Sequence, residues 1–208
     1  MKFMNRKDYF LSIFKLARKK YDKLDRRLAA ENWKQDWQTL IATLMSAQSR
    51  DETTIPIAEN LFKKYPTLTK LAKANYKDVL KIFKSLNYNR TKAKHVIEAA
   101  KYIMQEYGGT VPESIEALTA IPGVGRKTAN VVRSEVHNSA AIGVDTHVHR
   151  ISNVLGLVKT KTPHQTEIEL VKIIPHKYRS KVNRIFVLWG KDVPGRDKAK
   201  LLRSIGYI

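Results

Sequence analysis

Cysteine is absent from the 208 residues. That excludes a disulfide framework, a thiolate zinc site, a cysteine-ligated iron–sulfur cluster and a cysteine nucleophile. No apolar run approaches the roughly 20 residues that cross a bilayer. No uninterrupted apolar stretch with a small-residue cleavage site opens the chain, so a secretory leader is not expected. Acidic residues are scarce: 19 Asp and Glu against 39 Lys and Arg, a net charge of +20. Alternation with period two is missing throughout, which argues against strands. Neither an internal repeat nor a low-complexity linker is visible.

What is present fits a folded chain. Apolar residues make up 43% and charged ones 28%, outside the range of disordered sequences. The charge excess calls for a polyanionic partner, nucleic acid first and an anionic membrane surface second. A soluble chain in the cytoplasm is expected.

Apolar residues recur at helical spacing almost everywhere. Phe10, Phe14, Ala17, Tyr21 and Leu24 form one stripe. It suits a helix docked on a core, although a basic amphipathic segment can also lie on a membrane. Further stripes run over Trp37 to Met45, over Ile57, Leu61 and Phe62, and over Val79, Leu80 and Phe83. A long one runs from Val96 to Tyr107 and is stopped by Gly108 and Gly109. Pro112 suits a helix first turn ahead of Ile115, Leu118 and Ile121. Thr162-Pro163-His164-Gln165 is laid out as a capping box for a helix with Ile168, Val171 and Ile174 inward. The last clear helix holds Val182, Ile185, Phe186 and Trp189. The fold class is all-α, about ten short helices.

Residues 118–150 are the informative stretch. Leu118-Thr-Ala-Ile121-Pro122-Gly123-Val124-Gly125-Arg126-Lys127-Thr128-Ala129 reads as a helix, a tight glycine turn and a second helix reaching about Val136. Glycines permit positive φ and a close backbone approach. The N–H groups at the start of the second helix favour an anion. The element is a phosphate cradle, which positions DNA without reading bases. Gly123, Val124, Gly125, Arg126 and Thr128 are its DNA-binding candidates. Lys127 stands in the first turn, where the helix dipole opposes a cation. An amine relieved of its charge is a nucleophile.

Eighteen residues on, Asp145 precedes the helical stripe Val148, Ile151 and Leu155 and stands where an N-cap belongs. A carboxylate there can cap the helix, stabilise a developing positive charge or assist proton transfer. His147 and His149 lie two apart, so they do not share a helix face and do not make a metal pair.

Ile121 to Val132 followed by Val144-Asp145-Thr146-His147 resembles the endonuclease III family, helix-hairpin-helix DNA glycosylases of base excision repair. The Lys-to-Asp spacing agrees. So do Leu44-Met-Ser-Ala-Gln48-Ser-Arg-Asp51 and Asn87-Tyr88-Asn89-Arg90-Thr91-Lys92-Ala93. The likeness covers roughly residues 30 to 190. It implies two helical lobes with a DNA-binding cleft between them. One lobe is 29–139, carrying the hairpin at about 118–136; the other is 1–28 with 140–208. It further implies Lys127 as nucleophile and Asp145 as essential acid in a bifunctional glycosylase and abasic-site lyase. Oxidised pyrimidines are the expected substrates. Gln48 would fill the gap left by the flipped base, Tyr88 would intercalate, and His147 joins the DNA-binding set. Double-stranded DNA with a damaged base or abasic site is the partner; a monomer at the nucleoid is expected.

Three departures from the family pattern stand out. The four-cysteine iron–sulfur loop is missing from Trp189-Gly-Lys-Asp-Val-Pro-Gly-Arg-Asp-Lys-Ala-Lys200, so no cofactor is expected. Any structural or DNA-contacting role of the cluster must then fall to packing of Leu201, Leu202 and Ile205 and to the local Lys and Arg residues. Asn87 stands for a glycine and is expected to take its left-handed conformation. Tyr88 and Asn89 differ from the commoner residues, which bears on substrate choice. Mismatch uracil or thymine excision, oxidised-purine excision and a non-catalytic DNA-binding module are the other readings. Lys127 and Asp145 at family spacing favour the lyase.

Overall fold

The computed structural model describes residues 5–208. Every regular element among them is an α-helix, and there are twelve. They are α1 (Arg6–Tyr21), α2 (Asp36–Ser46), α3 (Asp51–Lys64), α4 (Leu68–Ala72), α5 (Tyr76–Ile82), α6 (Asn89–Tyr107), α7 (Ile115–Ala120), α8 (Arg126–Glu135), α9 (Thr146–Leu155), α10 (Pro163–Ile173), α11 (His176–Asp192) and α12 (Lys198–Ser204). No helix among the described residues is long and apolar enough to cross a membrane. Two compact units divide after Arg26 and after Asn138.

The first unit is the continuous segment Arg27–Asn138, containing α2 to α8. α6 packs on α2, α4 and α5, and α8 packs on α2 and α7. Leu40, Ile41, Met45, Leu61, Leu71, Phe83, Val96 and Ile103 fill the core. Pro56 lies within α3. The sequence stripes found most of these helices but not α4, which is only five residues long and shows little more than one turn of pattern. Pro112 lies outside any helix. α7 instead begins after Ser114, whose Oγ accepts from Ala117 N at 3.1 Å. A serine that satisfies an orphan N–H sets the start more firmly than a proline that merely tolerates one.

The second unit joins the described residues up to Arg26 with Ser139–Ile208. α1 packs on α10 and α11, and α9 packs on α10 and α11. Phe10, Phe14, Tyr21, Phe186 and Trp189 form an aromatic centre. Leu24 falls beyond the end of α1, half-buried in the following loop. Trp189 Nε1 donates to Ser204 Oγ at 2.9 Å, which ties α12 to α11 over buried Leu201, Leu202 and Ile205.

α10 corrects the expected face. Ile168 and Val171 are 45% and 36% exposed, whereas Thr166, Leu170 and Ile173 are buried. The polar Thr166 hides the true phase. Its Oγ1 lies 2.6 Å from His149 Nδ1 and 2.6 Å from Thr160 Oγ1, a buried polar network that an apolar stripe does not reveal. The capping box is also only half formed. Thr162 Oγ1 accepts from Gln165 N, but Gln165 Oε1 accepts from Lys161 N, one residue outside the cap.

Candidate nucleic-acid interface and catalytic residues

The hairpin in the continuous unit is built from alternating anchors and open positions. Ile121 and Val124 are buried, and Val124 N donates to Ile121 O at 3.0 Å to close the turn. Between them Gly123 has φ +80° and is exposed. A Cβ there would sit 2.8 Å from the His95 ring on α6. Glycine is therefore required twice, by conformation and by contact. Gly125 is the N-cap of α8 and brings no side chain to the cap. The first backbone bond of α8 runs from Ala129 N to Gly125 O at 2.9 Å. The N–H groups of the preceding turn have no intrahelical partner, as at any helix start.

The predicted hairpin residues thus separate. Gly123, Gly125 and Arg126 are exposed. Val124 and Thr128 are buried, so their side chains serve the core and only their backbone can face a phosphate. Lys127 is half-buried in the first turn of α8 and forms no ion pair with a described residue.

Asp145, in the other unit, is the N-cap of α9. Its Oδ1 accepts from His147 N and Val148 N, both at 2.9 Å. Its Oδ2 accepts no hydrogen bond among the described residues. One oxygen does the capping and the second is left to interact with other groups. Asn183 Nδ2 donates to Gly143 O at 2.6 Å and holds the chain leading into Asp145. His147 is half-buried with its ring against Gly190 of α11, where a Cβ would meet Nδ1 at 2.5 Å. Its position reads first as helix packing. His149 turns instead to Thr166, as the two-residue spacing required.

Gln48 and Tyr88 both lie in the continuous unit. Gln48 lies beyond the end of α2, exposed, with φ +54°. Tyr88 is 64% exposed with φ +56°. Asn87 was expected to take the left-handed conformation, but that conformation falls one residue later, on Tyr88. The Asn87 side chain is engaged elsewhere: Nδ2 donates to Gln48 O at 2.7 Å.

Lys92, Arg150 and Asn183 were given no role by sequence reasoning. Lys92 sits on the apolar stripe of α6, four residues before Val96, and is 5% exposed. A lysine at that phase was the available signal. Burial holds its ammonium down to a pKa of about 8. Arg150 donates through Nη2 to Gly190 O at 2.9 Å and through Nη1 to Val193 O at 3.2 Å and Gly195 O. Burial lowers its pKa, opposed by the charge of Asp145. The contacts of Arg150 and Asn183 are to backbone carbonyls far along the chain, which leave no trace in local pattern.

Residues 41–176 match the HhH-GPD superfamily of base excision DNA repair proteins. The chain belongs to that superfamily. Within it, the endonuclease III of Thermotoga maritima is 42% identical over 157 residues, 76% of this chain and 74% of the relative. The endonuclease III of Rickettsia conorii is 36% identical, with 76% of each chain covered. A solved trapped endonuclease III–DNA covalent intermediate, an estranged-adenine complex, superposes with a TM-score of 0.82 at 28% identity. It covers 91% of this chain and 87% of its own. This HhH-GPD protein is a member of the endonuclease III family, a DNA glycosylase and abasic-site lyase of base excision repair.

The iron–sulfur cluster implied by the family resemblance takes cysteine thiolates. The residues of this chain do not fit it. Residues 190–205 offer carbonyls to Arg150 and apolar side chains to α11, and the 208 residues contain no thiol.

Proposed function

We propose that this endonuclease III relative excises oxidised pyrimidines from duplex DNA with Lys127 as nucleophile and Asp145 as the supporting carboxylate. The observation that carries it is the hairpin itself. Its glycine-capped helix start presents N–H groups for a phosphate and places Lys127, half-buried and without an ion-pair partner among the described residues, in the same turn. The DNA backbone is gripped at Gly123, Gly125 and Arg126 and by the backbone of Val124 and Thr128. Gln48 and Tyr88 enter the duplex at the extruded base. The preference for pyrimidines rests on the family resemblance.

The neutral Lys127 amine attacks C1′ of the damaged nucleotide. The C1′–N bond breaks, its electron pair leaves with the base, and the base takes up a proton. The amine gives up one proton; the C1′–O4′ bond then breaks, O4′ takes up a proton, and the nitrogen lone pair closes the iminium to C1′. Loss of a C2′ proton then expels the 3′ phosphate by β-elimination. Water hydrolyses the imine and restores Lys127. Asp145, with Oδ1 fixed by two N–H donors, offers Oδ2 to the cationic sugar and to the departing amine proton. The chemistry needs no iron–sulfur cluster, and Arg150 with α12 holds the region that such a loop would occupy. A repair enzyme of this kind works in the cytoplasm, on the nucleoid.

Borohydride reduction on a duplex with one thymine glycol tests the scheme. Wild type is expected to be trapped covalently and Lys127→Ala not at all. Asp145→Asn should lower turnover by about a hundredfold or more while changing DNA affinity little. Trapping by Lys127→Ala would overturn the assignment of the nucleophile.

A further inference from the structure

Four non-glycine residues among those described have positive φ. Two are Asn32 and Asn138, a residue type that tolerates this conformation. The other two are Gln48 and Tyr88, which have no such tolerance. Both are exposed, so no core packing of their own side chains holds them there. Something else must fix these backbones, since strain persists only where its surroundings over-determine it.

The surroundings are a pair of side-chain links between the two turns. Asn87, the neighbour of Tyr88, donates through Nδ2 to the carbonyl of Gln48 at 2.7 Å. Lys92, one turn into α6, donates through Nζ to Ser49 Oγ, next to Gln48, at 2.8 Å. Each link joins the 87–92 segment to the 48–49 turn, and both lie within the continuous unit. The Tyr88 turn is braced from behind as well. Asn89 Nδ2 donates to Lys84 O at 3.2 Å, and Tyr76 Oη donates to Arg90 O at 3.4 Å.

Lys92 is a costly way to make such a link. Its side chain is almost wholly buried, and Ser49 Oγ is its one hydrogen-bond partner among the described residues. Two of the three ammonium donors are left without an acceptor among the described residues. A leucine or methionine at this phase of α6 would suit the core better. What the lysine adds is reach: a four-carbon stem crosses the core edge, and its tip holds a turn that carries no regular structure.

We propose that Asn87 and Lys92 are positioning residues that staple the Gln48 and Tyr88 turns into one rigid wedge, so that both side chains enter the duplex together. The inference rests on the reading that Gln48 and Tyr88 contact DNA at the lesion. Preorganisation gives the staple its purpose. Two separately mobile loops must each be ordered on binding, whereas a linked pair is ordered beforehand. Displacement of a positioning group by about an ångström costs up to about a hundredfold in rate.

The test uses the full chain on a duplex with one thymine glycol opposite 2-aminopurine, whose fluorescence reports stacking of the estranged base. Lys92→Met keeps the buried stem and removes the donor. Asn87→Ala removes the other link, and Ser49→Ala removes the acceptor of Lys92 from the half-buried side. Each is expected to slow single-turnover excision by at least about tenfold and to alter the 2-aminopurine signal. Affinity for undamaged duplex should stay near wild type, and the cooperative thermal transition should not fall; for Lys92→Met it should rise. In a Gln48→Ala background the effect of Lys92→Met should largely disappear, because the group it positions has gone. The proposal is overturned if the three variants excise at the wild-type rate, or if Lys92→Met and Gln48→Ala slow excision by independent, multiplying factors. Should Gln48→Ala and Tyr88→Ala themselves leave excision and fluorescence unchanged, the DNA-contact reading fails, and the staple with it.

Discussion

The continuous unit contains two kinds of left-handed turn, and they are solved in opposite ways. In the hairpin the left-handed position is Gly123, whose missing side chain lets the backbone lie on His95 and leaves the turn open to solvent. In the turns at Gln48 and Tyr88 the same backbone region is occupied by long side chains that point outward. The difference follows from what each turn presents. A hairpin that offers N–H groups to a phosphate gains by having no side chain in the way. A turn that must carry a probing side chain cannot use glycine, so it accepts strain of about 1–3 kcal/mol per residue and is held by bonds from elsewhere.

The comparison breaks most severely at Gly123. Gly123→Ala places a Cβ against His95 and strains the backbone together. A loss of about 2–4 kcal/mol in unfolding free energy is expected, with at least about tenfold weaker binding to undamaged duplex. Gly125→Ala is the control, because its Cβ meets no atom within 4 Å and its φ is −90°. Denaturant melts and a salt series of duplex affinities measure both. Equal damage from the two would mean that the glycines are not distinguished by their turns.

The opposite outcome is expected at the other turns. Gln48→Gly and Tyr88→Gly relieve the strained backbone and should raise stability by up to about 1 kcal/mol. The same variants should lose lesion excision by about tenfold or more. A fall in stability would show that the side chains stabilise the fold, and the contrast with Gly123 would collapse.

The pH dependence of stability sharpens how the staple is held. The pKa of Lys92 falls from 10.5 in an unfolded chain to about 8 in the folded one. Between these values the unfolded state binds more protons than the native state. Stability attributable to Lys92 therefore rises with pH across that window and is at its lowest below about pH 8. Lys92→Met should remove this upward slope between pH 8 and 10 and leave the curve flatter. Chemical melts at half-unit steps of pH would show it. An unchanged slope would mean that the buried amine is not the source.

Much of the fold was legible because helix stripes and caps are local. Asp145 and Thr162 each cap a helix that the nearby pattern also marks, whereas the cap at Ser114 was passed over for Pro112. The inward face of α10 was misread because Thr166 is buried by a polar network with His149 and Thr160, and such a network counts as polar in any hydrophobic pattern. Asn87 was misread for a related reason. The residue type tolerates a left-handed backbone, but its side chain is committed to Gln48 O, and the conformation passes to Tyr88.

The amino-acid sequence by itself determined the helices, the glycine hairpin with Lys127 in its first turn, the capping position of Asp145 and the absence of any thiol for a cluster. These depend on spacing and residue chemistry, which are properties of neighbouring residues along the chain. Only the tertiary structure decided that Gln48 and Tyr88 are both exposed and left-handed, that Lys92 is buried, and that Arg150 holds the turn after α11. Each of these rests on contacts between residues about 40 positions apart, as from Ser49 to Lys92 or from Arg150 to Gly190. Side chains at such separations meet only when the packed helices bring them together, and no local pattern encodes the meeting.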